Sequence, residues 1–167
     1  MGSEMCIRDR DYSSQIGVNF ITVTLDGANN VTVTVDGDLN DTIRNIENVT
    51  GSTGDDTIIG DALANILDGD AGNDTIFASD GTDTIDGGAG SDTADYSTTT
   101  GNFIAVNLDG GNDRTVTVDG GDDDTIRNVE NIIGTSGDDD IRGDGNINNL
   151  QGGAGNDIIF GEGGDDI

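Results

Sequence analysis

The chain has 167 residues, 34 of them acidic against six arginines, with no lysine, histidine, proline or tryptophan and a formal net charge of −28. That charge excludes nucleic acid and anionic lipid as general partners, because both are held by cationic surfaces. No apolar run approaches the roughly 20 residues that span a bilayer, so membrane insertion is not expected, and no secretory h-region stands at the N-terminus. High charge with few aromatics ordinarily predicts disorder. Here, however, apolar residues recur at fixed phase among 28 glycines, which predicts a fold that closes when bound cations neutralise its carboxylates.

Residues 1–10, Met1-Gly2-Ser3-Glu4-Met5-Cys6-Ile7-Arg8-Asp9-Arg10, hold both methionines and the one cysteine. They are unlike the rest and resemble translated read-through of a library adaptor, so they are expected to be a non-native leader. Without Cys6 the chain has no thiol, which suits an extracellular protein stapled by metal in place of disulfides.

A long repeat follows. Asp11-Tyr12-Ser13 returns as Asp95-Tyr96-Ser97, and Thr42-Ile43-Arg44-Asn45-Ile46-Glu47-Asn48 returns as Thr125-Ile126-Arg127-Asn128-Val129-Glu130-Asn131. The two intervals differ by a single position, so one residue has been gained or lost between the landmarks. The chain therefore divides into one unit, 11–94, and most of a second, 95–167. Both ends fall inside repeats, which predicts a window on a longer, monomeric tandem array.

Each unit opens with a strand segment, 11–50 or 95–133. Phe20–Leu25, Val31–Val35, Phe103–Leu108 and Thr115–Val118 alternate apolar and polar residues with β-branched neighbours, the mark of half-buried strands. Asp26-Gly27 and Asp36-Gly37 supply turn chemistry. The Thr42–Asn48 segment, with Ile43, Ile46 and Val49 spaced by three, reads as irregular coil.

Each unit closes with a block of nonapeptides, 51–94 or 134–167. Their pattern is Gly, Gly or Asp, any, Gly, Asn or Asp, Asp, any, apolar, any, as in Gly69-Asp70-Ala71-Gly72-Asn73-Asp74-Thr75-Ile76-Phe77. Position eight holds Ile58, Leu67, Ile76, Ile85, Ala94, Ile141, Leu150 and Ile159. One apolar side chain in nine makes no globular core, but coils stacked on one another turn it into a continuous ladder. Glycine at positions one, two and four permits positive φ, so the turn can aim carbonyl oxygens inward beside the position-six aspartate. Such an all-oxygen set suits Ca²⁺, which takes six to eight oxygens in flexible geometry. Zinc is disfavoured without histidine or thiolate, and magnesium by its stricter octahedron.

These nonapeptides resemble the RTX calcium-binding repeat. The resemblance implies an all-β, right-handed parallel β-roll in which two nonapeptides make one turn and an ion lies between loops one full turn apart. Carried onto matching positions, it implies oxygen ligands from Gly51, Thr53, Gly54 and Asp56, from Gly69, Asp70, Ala71, Gly72 and Asp74, and from Gly87, Gly88, Ala89, Gly90 and Asp92. In the second unit it implies Gly134, Ser136, Gly137 and Asp139, then Gly152, Gly153, Ala154, Gly155 and Asp157. It pairs Asp56 with Asp74, Asp74 with Asp92, and Asp139 with Asp157. On the opposite edge it pairs Asn65 with Asp83 and Asn148 with Asp166. There Leu63 and Asn146 replace the position-four glycine and an amide replaces one carboxylate, so weak or empty sites are expected. Asp36–Glu47 and Asp119–Glu130 imitate an EF-hand loop but lack its glycine and flanking helices, and read as coincidence.

With no histidine, lysine or native cysteine and no HExxH motif, no catalytic group stands out from the acids, and an enzyme is not expected. The expected function is a calcium-dependent structural module. The resemblance implies export by a type I secretion apparatus and an extracellular or cell-surface address. Two alternatives remain open. One is an adhesin or extender region with a ligand- or ice-binding face on its threonine strands. The other is the non-catalytic tail of a secreted hydrolase, protease or epimerase.

Overall fold

The computed structural model describes residues 9–13, 19–36, 38–119, 121 and 123–167. Among them every regular element is a strand: β1 (Asp9–Asp11), β2 (Ile21–Thr24), β3 (Val31–Val35), β4 (Asp38–Ile43), β5 (Asn48–Thr50), β6 (Thr57–Ile59), β7 (Ile66–Asp68), β8 (Thr75–Phe77), β9 (Thr84–Asp86) and β10 (Thr93–Asp95). The second unit supplies β11 (Ile104–Asn107), β12 (Arg114–Val118), β13 (Asp124–Arg127), β14 (Asn131–Ile133), β15 (Asp140–Arg142), β16 (Asn149–Gln151) and β17 (Ile158–Phe160).

The nonapeptide period dictates the winding. Glycine-rich positions one to six make a bend, and positions seven to nine make a three-residue strand. Successive strands therefore alternate between two sheets, and each pairs in parallel with the strand two nonapeptides on, as Ile58 with Ile76 and Leu67 with Ile85. One sheet runs β1-β5-β7-β9-β13-β12-β11-β15-β17 and the other β16-β14-β10-β8-β6-β2-β3-β4. This is the all-β roll expected.

The strand segments are not separate modules laid beside the roll. Each folds as a three-stranded antiparallel meander, β2-β3-β4 or β11-β12-β13, whose first strand continues a parallel ladder: β2 onto β6, and β11 onto β15. A meander fills one half-turn and six short strands fill six more, so a unit advances by seven. That odd number turns the second unit over, which puts β2–β4 in one sheet and β11–β13 in the other.

Thr42–Asn48 is only in part the irregular coil expected. Thr42 and Ile43 end β4, paired with Thr32 and Val31, while Asn48 opens β5 against Ile66. Only 44–47 lie outside strands, and 128–130 do so in the second unit. The three-residue spacing of Ile43, Ile46 and Val49 comes from inward-pointing residues on the two sides of a bend. The EF-hand imitation dissolves likewise, because Asp38–Ile43 and Asp124–Arg127 are extended strands; Gly37, Gly120 and Asp122 lie outside the described residues. So do residues 1–8 of the leader, whereas Asp9 and Arg10 pair with Asn48 and Val49. Of the two expected turns, Asp26-Gly27 is present, with Gly27 at φ 45° and Asn29 N–H donating to the Asp26 carbonyl at 2.9 Å.

Between the sheets runs one file of apolar side chains. Position-eight residues Ile58, Leu67, Ile76, Ile85, Ala94 and Ile141 are fully buried, joined by Ile21, Val23, Val33, Ile104, Val116, Ile126 and Tyr96. Ile159 departs from the expected ladder at 42 % exposure, because β17 is the outermost strand of its sheet. Truncating Ile76 leaves a hole with Ile58 and Ala94 on either side, so Ile76→Ala should cost about 2–5 kcal/mol. Leu63→Ala, half-exposed in a bend, should stay within about 0.5 kcal/mol. Denaturant unfolding at saturating calcium measures both, and equal costs would contradict the buried file.

Candidate metal centre

The bends stack as closely as the strands do, and this explains the glycines better than backbone freedom alone. At position one, Gly51, Gly69 and Gly134 do not have positive φ. A Cβ on Gly51 would instead lie within 3.0 Å of both Asp56 Oδ2 and the Gly69 carbonyl. On Gly69 it would meet Asp74 Oδ2 and the Gly87 carbonyl, and on Gly134 it would meet Asp139 Oδ2 and the Gly152 carbonyl. Each position-one glycine thus clears a space where a carboxylate oxygen of its own bend and a carbonyl of the next converge. At position four, Gly72, Gly90 and Gly155 have positive φ and lie against the carbonyls of Gly54, Gly72 and Gly137. Position two does the same: Gly88 lies on the Asp70 carbonyl and Gly153 on that of Thr135, while Asp70 itself takes φ 71°.

The position-six side chains form columns along the two edges. Asp74 Oδ1 accepts Asp56 N–H at 2.8 Å and Asp92 Oδ1 accepts Asp74 N–H at 2.8 Å. Asp157 does the same for Asp139 at 3.1 Å, Asp83 for Asn65 at 2.8 Å and Asp166 for Asn148 at 3.0 Å. All five sequence-expected pairs are thus brought together, each across one full turn. Because the second unit is turned over, Asn148 and Asp166 continue the column of Asp56, Asp74 and Asp92, and Asp139 and Asp157 lie on the edge of Asn65 and Asp83.

The columns begin in caps. Asp56 Oδ1 accepts Ile21 N–H at 2.6 Å and the Ser52 hydroxyl at 2.9 Å, and Oδ2 accepts Ser52 N–H at 2.5 Å. Asp139 is held alike by Ile104 N–H, Thr135 N–H and the Thr135 hydroxyl. Asp74 Oδ2 and Asp92 Oδ2, by contrast, are buried without a hydrogen-bond partner, in residues 1 % exposed. A buried carboxylate oxygen left this way is costly and needs either a proton or a cation. Asp74 Oδ2 converges there with the Gly87 carbonyl and Asp92 Oδ2 with the Asn128 carbonyl, an oxygen set that fits a hard divalent ion such as Ca²⁺. When bound, the ion supplies positive charge where carboxylates of adjacent bends face each other.

The other expected ligands are less directed. Thr53, Ala89 and Ser136 are exposed, and the carbonyls of Asp70 and Ala89 already accept Ala89 N–H and Gly72 N–H across the turn. Ala71 bridges Ala89, and Ala154 is exposed. On the degenerate bends, Asn65 Oδ1 accepts Asp61 N–H at 2.9 Å and Asn148 Oδ1 accepts Asp144 N–H at 2.8 Å. The amide oxygens are thereby spent on their own bends.

Three further acids share the phase or the column of the position-six residues without being evident from the motif. Glu47 and Glu130 stand nine residues before Asp56 and Asp139, so Thr42–Thr50 and Thr125–Ile133 are degenerate nonapeptides with glutamate at position six. The phase was visible, with Val49 and Ile132 at position eight, but the glycines that usually announce the repeat are absent. Asp124 is the third: its Oδ1 accepts Asp83 N–H at 2.7 Å, extending the column by one position to the edge of the meander.

Burial, and then the charges of adjacent bends, push the Asp74 carboxyl up to about 7 and that of Asp92 up to about 6. Backbone N–H donation offsets part of each shift. Both values exceed the ordinary 3.8, so the folded chain holds protons that the unfolded chain has released. In chelator, stability should therefore fall as pH rises from about 4 through 7, and the folded fraction should be greater at pH 5 than at pH 8. Circular dichroism at the two values, on chain stripped of calcium beforehand by dialysis against chelator at pH 8, tests this, and no difference would mean that the two carboxylates are solvated. In calcium the trend should reverse, because protons and Ca²⁺ compete for the same oxygens.

A model of the RTX calcium-binding nonapeptide repeat (4 copies) matches residues 45–62, 59–94 and 133–167, half of the chain. No curated protein matches it. The repeat binds calcium, and the chain, carrying it in both units on stacked bends where oxygens converge, belongs to the RTX calcium-binding nonapeptide repeat family.

Proposed function

We propose that the chain is a structural module of a type I-secreted bacterial protein that folds on Ca²⁺ outside the cell and is itself non-catalytic. The observation that carries this reading is the pair of buried, partnerless oxygens, Asp74 Oδ2 and Asp92 Oδ2, each beside a carbonyl of the next bend. In low calcium these carboxylates repel, and a core of one apolar residue in nine is too thin to outweigh that repulsion. The chain then stays unfolded, the state suited to export through a narrow channel. Extracellular calcium modules bind at about 10⁻⁴–10⁻³ M. At ~10 mM ion, each such site adds roughly 1.5–3 kcal/mol, enough for a few sites to decide whether a marginally stable chain folds.

The adhesive alternative rests on one observation, an outward column of threonines that crosses five strands: Thr34, Thr22, Thr57, Thr75 and Thr93. It stands single file. The neighbouring column is Thr24, Ile59, Phe77 and Asp95, so the face lacks the paired ranks of hydroxyls that a flat lattice would meet. The module reading is the better supported.

Adding Ca²⁺ to the EGTA-treated chain should convert a coil spectrum to a β spectrum by circular dichroism, and Mg²⁺ should not. A chain already folded in EGTA at pH 8, or one answering Mg²⁺ equally, would contradict the proposal. By isothermal titration Asp74→Ala should weaken two ions, since Asp74 faces both Asp56 and Asp92. Loss of one ion or none would restrict Asp74 to a single turn or to capping.

A further inference from the structure

The metal column of the first unit ends, by its motif, at Gly87–Asp92; no further nonapeptide of that pattern begins before Gly134. The structure nevertheless continues the column. Asp92 N–H donates to Glu130 Oε2 at 2.9 Å, the same bond that Asp56 N–H gives Asp74 and Asp74 N–H gives Asp92. A Cβ on Gly87 would lie within 3.0 Å of three atoms: the Asn128 carbonyl oxygen, Asp92 Cβ and Asp92 Oδ2. The Asn128 carbonyl thus fills the role that Gly87 plays for Gly69, and Asn128 takes a left-handed φ of 50°. Asp92 Oδ2, which points into that space, is buried and has no hydrogen-bond partner. Only Asn128-Val129-Glu130 separates β13 from β14 here, a bend of three residues where a full nonapeptide spends six. The extra methylene of glutamate suits its carboxylate to the shortened path.

We infer a divalent-cation site between the units, formed by Asp92, Glu130 and the Asn128 carbonyl, outside the nonapeptide motif. It rests on the reading that stacked bends hold Ca²⁺ and adds that the ion column runs across the meander. One consequence is mechanical: the ion would tie β10 to β14 over an insertion in the chain, coupling the folding of adjacent units.

The test is Glu130→Gln in the full chain, which keeps an oxygen for Asp92 N–H and removes the charge. Calcium stoichiometry by equilibrium dialysis should drop by one ion per chain, with the β spectrum at saturating calcium retained. Asp74→Asn run in parallel should lose its own ions and keep the one at Glu130. An unchanged count and affinity in Glu130→Gln would overturn the inference, and so would failure of that variant to fold at saturating calcium, which would make Glu130 a general structural residue. If the unsubstituted chain binds no calcium, the underlying reading fails instead. A thermal midpoint measured at sub-saturating and saturating calcium separates a ligand from a hydrogen-bond acceptor. Loss of a ligand lowers the midpoint mainly at saturation, whereas equal lowering at both would leave Glu130 as an acceptor alone and overturn the site.

Discussion

Crowded oxygen between stacked bends is the constraint on which the rest of the structure depends. Each turn presses a carbonyl of one bend and a carboxylate of another into a space that only the absence of a side chain keeps open. Glycine at position one is therefore needed for room, and glycine at position four for both room and positive φ. An ordinary core would not tolerate such an array, because unpaired buried acceptors cost more than a thin apolar file returns. A cation between the oxygens changes the sign of that balance, and this is why a chain with a charge of −28 is compatible with a parallel roll.

Much of this was legible from spacing alone. A period of nine with one apolar residue foretold very short strands, and Ile58, Ile76 and Ala94 do stack as a file. The pairing of acids one turn apart was also legible, given two nonapeptides per turn. What escaped notice depends on parity and on degenerate sequence. The interval between Asp11 and Asp95, or Thr42 and Thr125, says nothing about which edge a loop faces until the half-turns are counted. That count needs the meander to be recognised as one half-turn. The Thr42–Thr50 repeat escaped because its phase is carried by Glu47 and Val49 without glycines.

The two kinds of aspartate at position six show how one motif serves two purposes. Where a bend stacks against the entry to a meander, at Ile21 or Ile104, position two is Ser52 or Thr135, and hydroxyl and N–H groups engage both oxygens of Asp56 and Asp139. In the two bends of the first unit that stack on full nonapeptides of the same edge, position two is Asp70 or Gly88 with positive φ. The local N–H then turns away, as Asp70 N–H does toward Asp68 Oδ1 at 3.0 Å, and the carboxylate oxygen is released.

Turning the unit over has a consequence for charge. Were the units an even number of half-turns long, the degenerate bends bearing Asn65 and Asn148 would lie on one edge and the acid-rich bends on the other. One edge would then gather the whole ion column and its field. With seven half-turns, Asn148 follows Glu130 on the edge of Asp74, and Asp139 and Asp157 follow Asp124 on the edge of Asn65. Both edges alternate between strong and weak stretches, so repulsion among like charges is divided along the roll. The carboxylates to be neutralised are thereby shared between two edges instead of gathered on one.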